Sequence, residues 1–268
     1  MSLRNDFRPG KNFKVIDADA GAKPLSNGSK AADVARTQDL MQQIAGLQNT
    51  FYAARERKLL VVLQGMDTSG KDGSVKGVFG AIDPLGIRSV CFKAPTTPEK
   101  EHDFLWRVHA QVPARGEIVL FNRSHYEDVL ITKVHGWIDE EECHRRYAHI
   151  RDFERLLAET GTVILKFFLH ISADEQKARF EQRIADAAKR WKFDPADLEE
   201  RKSWDAYQTT YAQAISETDA DHAPWYVIPA DSKTHRNLAI AGIVAETLQG
   251  MQLQVPDIHP EYAMLKIV

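Results

Sequence analysis

Residues 59–73 read LLVVLQGMDTSGKDG. Leu59 to Leu63 is an apolar run that stops abruptly in a glycine-rich loop. Gly65 is followed by four residues and then by Gly70-Lys71. This is the spacing of a phosphate-binding loop, except that Asp72 stands where Ser or Thr usually follows the lysine. Beyond it Val75, Val78, Phe79 and Ile82 recur at helical spacing, so the expected unit is strand, loop, helix. The glycines let backbone N–H groups turn toward one point, the helix N-terminus adds its dipole, and Lys71 adds a full positive charge. Gly65, Ser69, Gly70, Lys71, Asp72 and Gly73 are therefore the expected phosphate contacts of this loop.

Two carboxylates complicate that site. Asp67 lies inside the loop and Asp72 just after the lysine. Carboxylates facing phosphates repel them unless a cation lies between. A Mg²⁺ ion on one of them, Asp67 before Asp72, is the expected solution. The competing reading is that Asp67 only caps the turn.

The whole chain has 268 residues and a net charge of −3. That length suits one domain with extensions, and so balanced a charge recruits neither nucleic acid nor membrane. The two cysteines, Cys91 and Cys143, lack CxxC spacing and favour a reduced, cytoplasmic setting. The N-terminus has no apolar signal core. The most apolar stretch, Thr162 to Ser172, is too short to span a bilayer and carries Lys166.

Around the loop unit, strands and helices alternate. Residues 1–33 read as an extended arm, lying on the domain or on a neighbouring subunit. Residues 34–268 read as the domain. A helix is expected over 32–58, with Val34, Leu40, Met41, Ile44 and Leu47 in one stripe. Arg88 to Lys93 reads as a second strand, and Thr97-Pro98 as the start of a helix running to about Gln111. Glu117 to Phe121 is a third strand, ending in Asn122-Arg123-Ser124-His125-Tyr126-Glu127-Asp128. Polar residues crowded at the carboxyl end of a buried strand are where such sheets bind ligands. In loop-type kinases an acidic residue at this strand end reaches Mg²⁺. Here it is Asn122, with Glu127 following closely, either as a ligand or as a helix cap.

A charged helix is expected over 139–159, then a fourth strand over 162–171, and a capping box at Ser172 to Glu175. The next helix is rich in cations: Lys177, Arg179, Arg183, Lys189, Arg190 and Lys192. Arg179, Arg183 and Arg190 project to nearly one side, and Asp186 with them. Two readings stand: a solvated face, or a lid of cationic fingers over about residues 174–210. A helix over 195–216, a fifth strand WYVIP at Trp225 to Pro229, and a closing helix to Met251 complete the pattern. Lys233 to Arg236 follows the fifth strand's carboxyl end, toward the phosphate pocket. The tail past Pro256 reads as surface. Strict alternation gives an α/β fold, a parallel five-stranded sheet with helices on both faces.

GMDTSGKDG, FNRSHYEDVL, TTPEKEHDFLWRVHAQVPARGEI and the segment from Gln176 to Tyr207 resemble the polyphosphate kinase 2 family. The resemblance runs from about residue 30 onward. It implies a P-loop kinase of the thymidylate-kinase-like type with a helical lid. It implies phosphoryl transfer between inorganic polyphosphate and nucleoside mono- or diphosphates (AMP and ADP, or GMP and GDP), with Mg²⁺ or Mn²⁺, in a homodimer or homotetramer. Asp67 and Asn122 carry over as metal and phosphate positions, and Lys71, Arg123, Arg179 and Arg183 as phosphate contacts. Lys189 and Arg190 belong with them if the basic run is a lid. Asn122 paired with Glu127 resembles the branch that accepts both mono- and diphosphates, and Glu127 then joins Asp67 and Asn122 at the metal. The rival readings are an ATP-dependent nucleotide or small-molecule kinase and a nucleotide-binding switch without catalysis.

Overall fold

The inner strands are largely apolar because both faces of the sheet are covered there. In the computed structural model, which describes residues 2–257, 260–263 and 265, β1 (Lys58–Gln64), β2 (Ile87–Cys91), β3 (Ile118–Asn122), β4 (Thr162–His170) and β5 (Trp225–Pro229) form one sheet. Its order is β2-β3-β1-β4-β5 and every pairing is parallel. The register sets Leu63 beside both Asn122 and Phe167, so β1, β3 and β4 end close together.

Alternate residues of each strand feed two cores, as the period of two requires. Leu59, Val61 and Leu63 face one side with Leu165, Phe167 and Leu169. They meet Ile44 and Phe51 of α1 (Lys30–Ala54), Val78 of α2 (Lys71–Phe79) and Ile240 and Val244 of α7 (Lys233–Gly250). Leu60, Val62, Ile164 and Phe168 face the other side. There they meet Tyr147 and Ile150 of α3 (Glu140–Glu159) and Tyr211 and Ile215 of α6 (Trp204–Thr218). Each fully buried Leu, Ile or Phe contributes about 1.5–3 kcal/mol, so these two cores, not helix propensity, hold the layers together.

The helices between strands differ from the sequence reading in three places. The helix expected over 97–111 is two single turns, Thr97–Lys100 and Trp106–His109. Thr96 and Glu99 close a capping box on the first, and the Asp103 carboxylate receives Leu105 N–H at 2.9 Å to begin the second. The basic helix α4 (Ala173–Ala185) ends before Asp186, whose carboxylate accepts from Ala188 N–H at 3.0 Å and turns the chain. The helix expected over 195–216 is divided at Ser203 into α5 (Ala196–Lys202) and α6. Only half of the expected capping box forms at Ser172. Its hydroxyl accepts from Glu175 N–H at 3.2 Å, while the Glu175 carboxylate turns to Arg179 at 2.7 Å.

The N-terminal residues lie along the β5 edge of the sheet. Phe7 is buried, and its carbonyl accepts from Val227 N–H at 2.8 Å. Arg8 pairs with Asp219 at 2.7 Å. Further on, Ala20 C=O accepts from Asp231 N–H, and Leu25 N–H donates to His235 Nε2. An exposed strand edge invites pairing with other chains, and the segment covers this one. Of the tail expected at the surface, residues 258, 259, 264 and 266–268 lie outside the described residues, while Asp257, Glu261, Tyr262 and Leu265 are exposed.

Candidate active site

The loop between β1 and α2 is shaped by two glycines. Gly65 has φ +150, and a Cβ there would stand 2.7 Å from Leu169 O. Gly70 has φ +105 and packs directly on the Arg236 guanidinium, which leaves no room for a side chain. Arg179 and Arg236 brace the loop from beneath. Arg179 donates to Thr68 O (2.9 Å), Ser69 O (3.1 Å), Ala230 O (2.7 Å) and Asp231 O (2.8 Å). Arg236 Nη1 donates to Ser69 O at 3.1 Å. The carbonyls of Thr68 and Ser69 are thereby fixed toward the guanidiniums. Burial, and then Arg179, bring the Arg236 guanidinium down to about 9. Two buried cations under one loop create a positive field that a bound phosphate relieves.

Lys71 opens α2. Its ammonium donates to Gly65 O at 2.6 Å and Met66 O at 3.3 Å. Burial and the neighbouring Arg123 hold it below the ordinary lysine range, although Asp67, Glu127 and Asp72 pull the other way.

The end of β3 supplies the facing wall. Arg123 adopts φ +62, a left-handed backbone that costs a non-glycine residue of order 1 kcal/mol or more and persists only where its surroundings enforce it. That enforcement is visible. Ser124, His125 and Tyr126 turn into the core, where Ser124 Oγ accepts from Tyr126 N–H. Tyr126 OH donates to Glu154 at 2.9 Å. His125 Nε2 lies 3.3 Å from the same carboxylate. Lys166, fully buried in β4, donates to Glu154 (2.6 Å), Tyr126 OH (2.9 Å) and Thr218 O (2.8 Å). With that anchor, Asn122, Arg123 and Glu127 are left facing the loop.

Arg123 stands between two carboxylates. Its Nη2 is 2.7 Å from Asp67 Oδ1, and its Nη1 is 3.9 Å from Glu127 Oε2. Burial alone would lower Arg123, but Glu127 and Asp67 hold it above the ordinary value. Burial pushes the Glu127 carboxyl up, against the pull of Arg123 and Lys71. Glu127 also accepts from the Gln64 amide at 3.0 Å, whose oxygen accepts from Ser124. Ser124 is the cap of the turn that Glu127 occupies, so the Glu127 carboxylate is left for other contacts.

The basic segment closes the site from above. Lys192 donates to Asp72 Oδ2 at 3.0 Å, and Asn122 donates to Asp72 Oδ1 at 2.7 Å. Asp72 is thus tied to the segment over the loop; burial works against it, but these bonds leave it below the ordinary carboxylate range. Arg183 reaches Lys192 O at 3.1 Å and Asp197 at 3.6 Å. Burial, and then Asp67, push Asp197 up to about 6.

The space enclosed is a cavity of about 590 Å³. Asp67, Gly70, Lys71, Asp72, Gly73, Asn122, Arg123, Arg179, Arg183 and Lys189 all border it. Gly65 and Ser69 are buried in the loop itself, and Glu127 touches the site through Arg123 and Gln64. Arg190 is not brought in. It sits on the single turn Arg190–Lys192, off the α4 helix, and its Nε donates to Ile184 O at 2.8 Å. The structure adds Gln64, Lys192 and Asp197 to the site, none of which the sequence singled out, and brings in Lys233, which follows the end of β5. Lys192 was visible only as one charge in a run, and nothing in the sequence marks Asp197.

Among the described residues, no three His, Cys, Asp or Glu side chains gather as a ready metal cage. Mg²⁺ ordinarily takes one or two carboxylates and completes its shell with waters and phosphate oxygens. Asp67 and Glu127, facing one cation position now filled by Arg123, fit that demand.

The family model described as Polyphosphate kinase 2 (PPK2) matches residues 27–256. The chain is 47% identical over 261 residues to an AMP/ADP-polyphosphate phosphotransferase of Meiothermus ruber, covering 97% of each chain. It is 41% identical over 272 residues to an ADP-polyphosphate phosphotransferase of Rhodopseudomonas palustris, covering 95% of this chain and 92% of the other. The crystal structure of polyphosphate kinase 2 from Arthrobacter aurescens superimposes with a TM-score of 0.93 at 43% identity, over 98% of this chain and 96% of that one.

Proposed function

The chain belongs to the polyphosphate kinase 2 family, and we propose that it transfers the terminal phosphoryl group of inorganic polyphosphate to AMP and to ADP. The observation that carries this reading is the placement of Arg123 between Asp67 and Glu127, in a phosphate-loop cavity bordered by more lysines and arginines than carboxylates.

The transfer forms a bond from a terminal phosphate oxygen of the acceptor to the last phosphorus of the donor. The bond from that phosphorus to the bridging oxygen breaks, and the shortened polyphosphate leaves with the electron pair. The acceptor oxygen is already anionic, so no strong base is required. The obstacle is repulsion between two polyanions, and positioning with charge neutralisation supplies the catalysis. Lys71 and the loop hold the transferring group. Arg123 presents a guanidinium fork to acceptor phosphate oxygens. Arg183, Lys189 and Lys192 lie over the donor as a lid. Asp67 and Glu127, with Asn122 beside them, would hold Mg²⁺, or Mn²⁺, which when bound neutralises phosphate charge between donor and acceptor.

The same reading places a homodimer or homotetramer in the cytoplasm. The family resemblance supports the assembly. Two free cysteines support a reducing compartment, and no described helix is long and apolar enough to cross a membrane.

Acceptor choice tests it. AMP is shorter than ADP by one phosphoryl unit and must be drawn further in, whereas ADP brings its own additional oxygens. Glu127→Asn should therefore depress kcat/KM for AMP far more than for ADP. An unchanged AMP-to-ADP ratio on the folded variant would remove Glu127 from acceptor handling.

A further inference from the structure

A second cavity, of about 790 Å³, opens beside the first, between the N-terminal segment and the start of α7. Lys233 borders both. Lys23 comes from the N-terminal segment and Lys30 from the first turn of α1. All three lysines are exposed, and among the described residues none of their ammonium groups has a hydrogen-bond or ion-pair partner. Two of the three carboxylates around the same space have partners. Glu175 pairs with Arg179 at 2.7 Å, and Asp231 Oδ1 accepts from Ser172 N–H at 2.9 Å. Asp33 is only 2% exposed and offers the space almost no carboxylate surface. The three lysines are therefore the cavity's most exposed charges, although its composition is balanced.

The junction has the same sign. Partial burial, and then the charge of Arg179, bring the Lys233 ammonium below its ordinary range, with Arg236 and Lys189 adding to the crowding and Glu175 opposing it. Cations from the lid and the sheet end so converge where the two cavities meet. A flexible anion crossing that junction offsets this repulsion, and its remaining charges meet Lys23 and Lys30 beyond.

On the footing of the proposed function, we infer that this second cavity is a binding track for the distal part of a long polyphosphate donor, entered from the phosphate pocket past Lys233. The N-terminal segment is then part of the donor site as well as the cover of a sheet edge. A chain of a few phosphates fills the loop pocket and stops short of the track. A long chain occupies both.

The test is a comparison of chain lengths. The double variant Lys23→Ala/Lys30→Ala alters two exposed side chains and leaves every residue of the loop pocket in place. KM is measured for long-chain polyphosphate, for tetrapolyphosphate and for AMP, at two salt concentrations. The expected result is a severalfold rise in KM for the long chain alone, with kcat, the tetrapolyphosphate KM and the AMP KM unchanged. The salt dependence of the long-chain KM should also shrink, since fewer exposed charges are being screened. Lys30→Glu should enlarge the effect. Equal changes for both chain lengths, or no change for the long chain, would overturn the track. A rise in the AMP KM alone would assign the cavity to the acceptor and overturn it too. Wild type that uses no polyphosphate of any length would overturn the proposed function itself; wild type that uses it while the variant matches wild type overturns only the track.

Discussion

Arg123 Nη2 lies 2.7 Å from Asp67 Oδ1, joining the turn after β3 to the phosphate loop after β1. These two segments are the donor and acceptor sides of the proposed transfer, so one ion pair aligns them. Asp67→Asn and Arg123→Ala should each lower kcat by about a hundredfold or more, the usual cost of one preorganised charge contact. Thermal midpoints should stay near wild type, because either partner of this half-exposed pair keeps access to solvent when the other is removed. Steady-state kinetics beside a thermal melt check both halves. Near-wild-type turnover in either variant would remove the pair from the mechanism.

Arg179 and Arg183 lie one helical turn apart and should behave differently. Arg179 is buried and serves four backbone carbonyls. Arg179→Ala leaves those acceptors without their donor and should cost about 3 kcal/mol or more in urea unfolding. Arg183 borders the cavity from the lid. Arg183→Ala should keep wild-type stability and raise KM for polyphosphate, as added salt should for wild type. The opposite assignment, with Arg183→Ala unstable and Arg179→Ala merely weak in binding, would contradict the geometry.

Stability should fall in mild acid. His170 and His235 are buried, and desolvation holds each below its ordinary value of 6.5. The unfolded chain then takes up these protons first. The contribution of the two histidines is complete above about pH 6.5 and is lost as pH falls below it toward the folded values. His170→Gln should flatten the drop in thermal midpoint across that window. A slope identical to wild type would show that His170 takes up its proton equally in both states.

The loop and the sheet were legible because their signals are local. A fully apolar run, fixed glycine spacing and a helical stripe announce β1, the loop and α2, and alternation gives the other four strands. The end of α4 was not legible, because a run of cations carries no mark of where Asp186 turns the chain. Arg179 read as a lid contact because the sequence does not show that its acceptors are backbone carbonyls of two separate segments, the phosphate loop and the end of β5. Lys166 looked like a charge interrupting a strand. Its partners, Glu154, Tyr126 and Thr218, come from a helix, a turn and another helix that only the fold brings together. Asn122 and Glu127 were found because polar residues crowd the end of a buried strand. Their neighbours Gln64 and Asp197 carry no such signature.

The most direct measurement is product analysis with purified protein, AMP, inorganic polyphosphate and Mg²⁺, without ATP, resolved by chromatography over time. The account expects ADP to appear first and ATP after it, with ADP supplied alone also converted to ATP. Nucleotide left unchanged by polyphosphate, while added ATP supports phosphorylation of an acceptor, would contradict it.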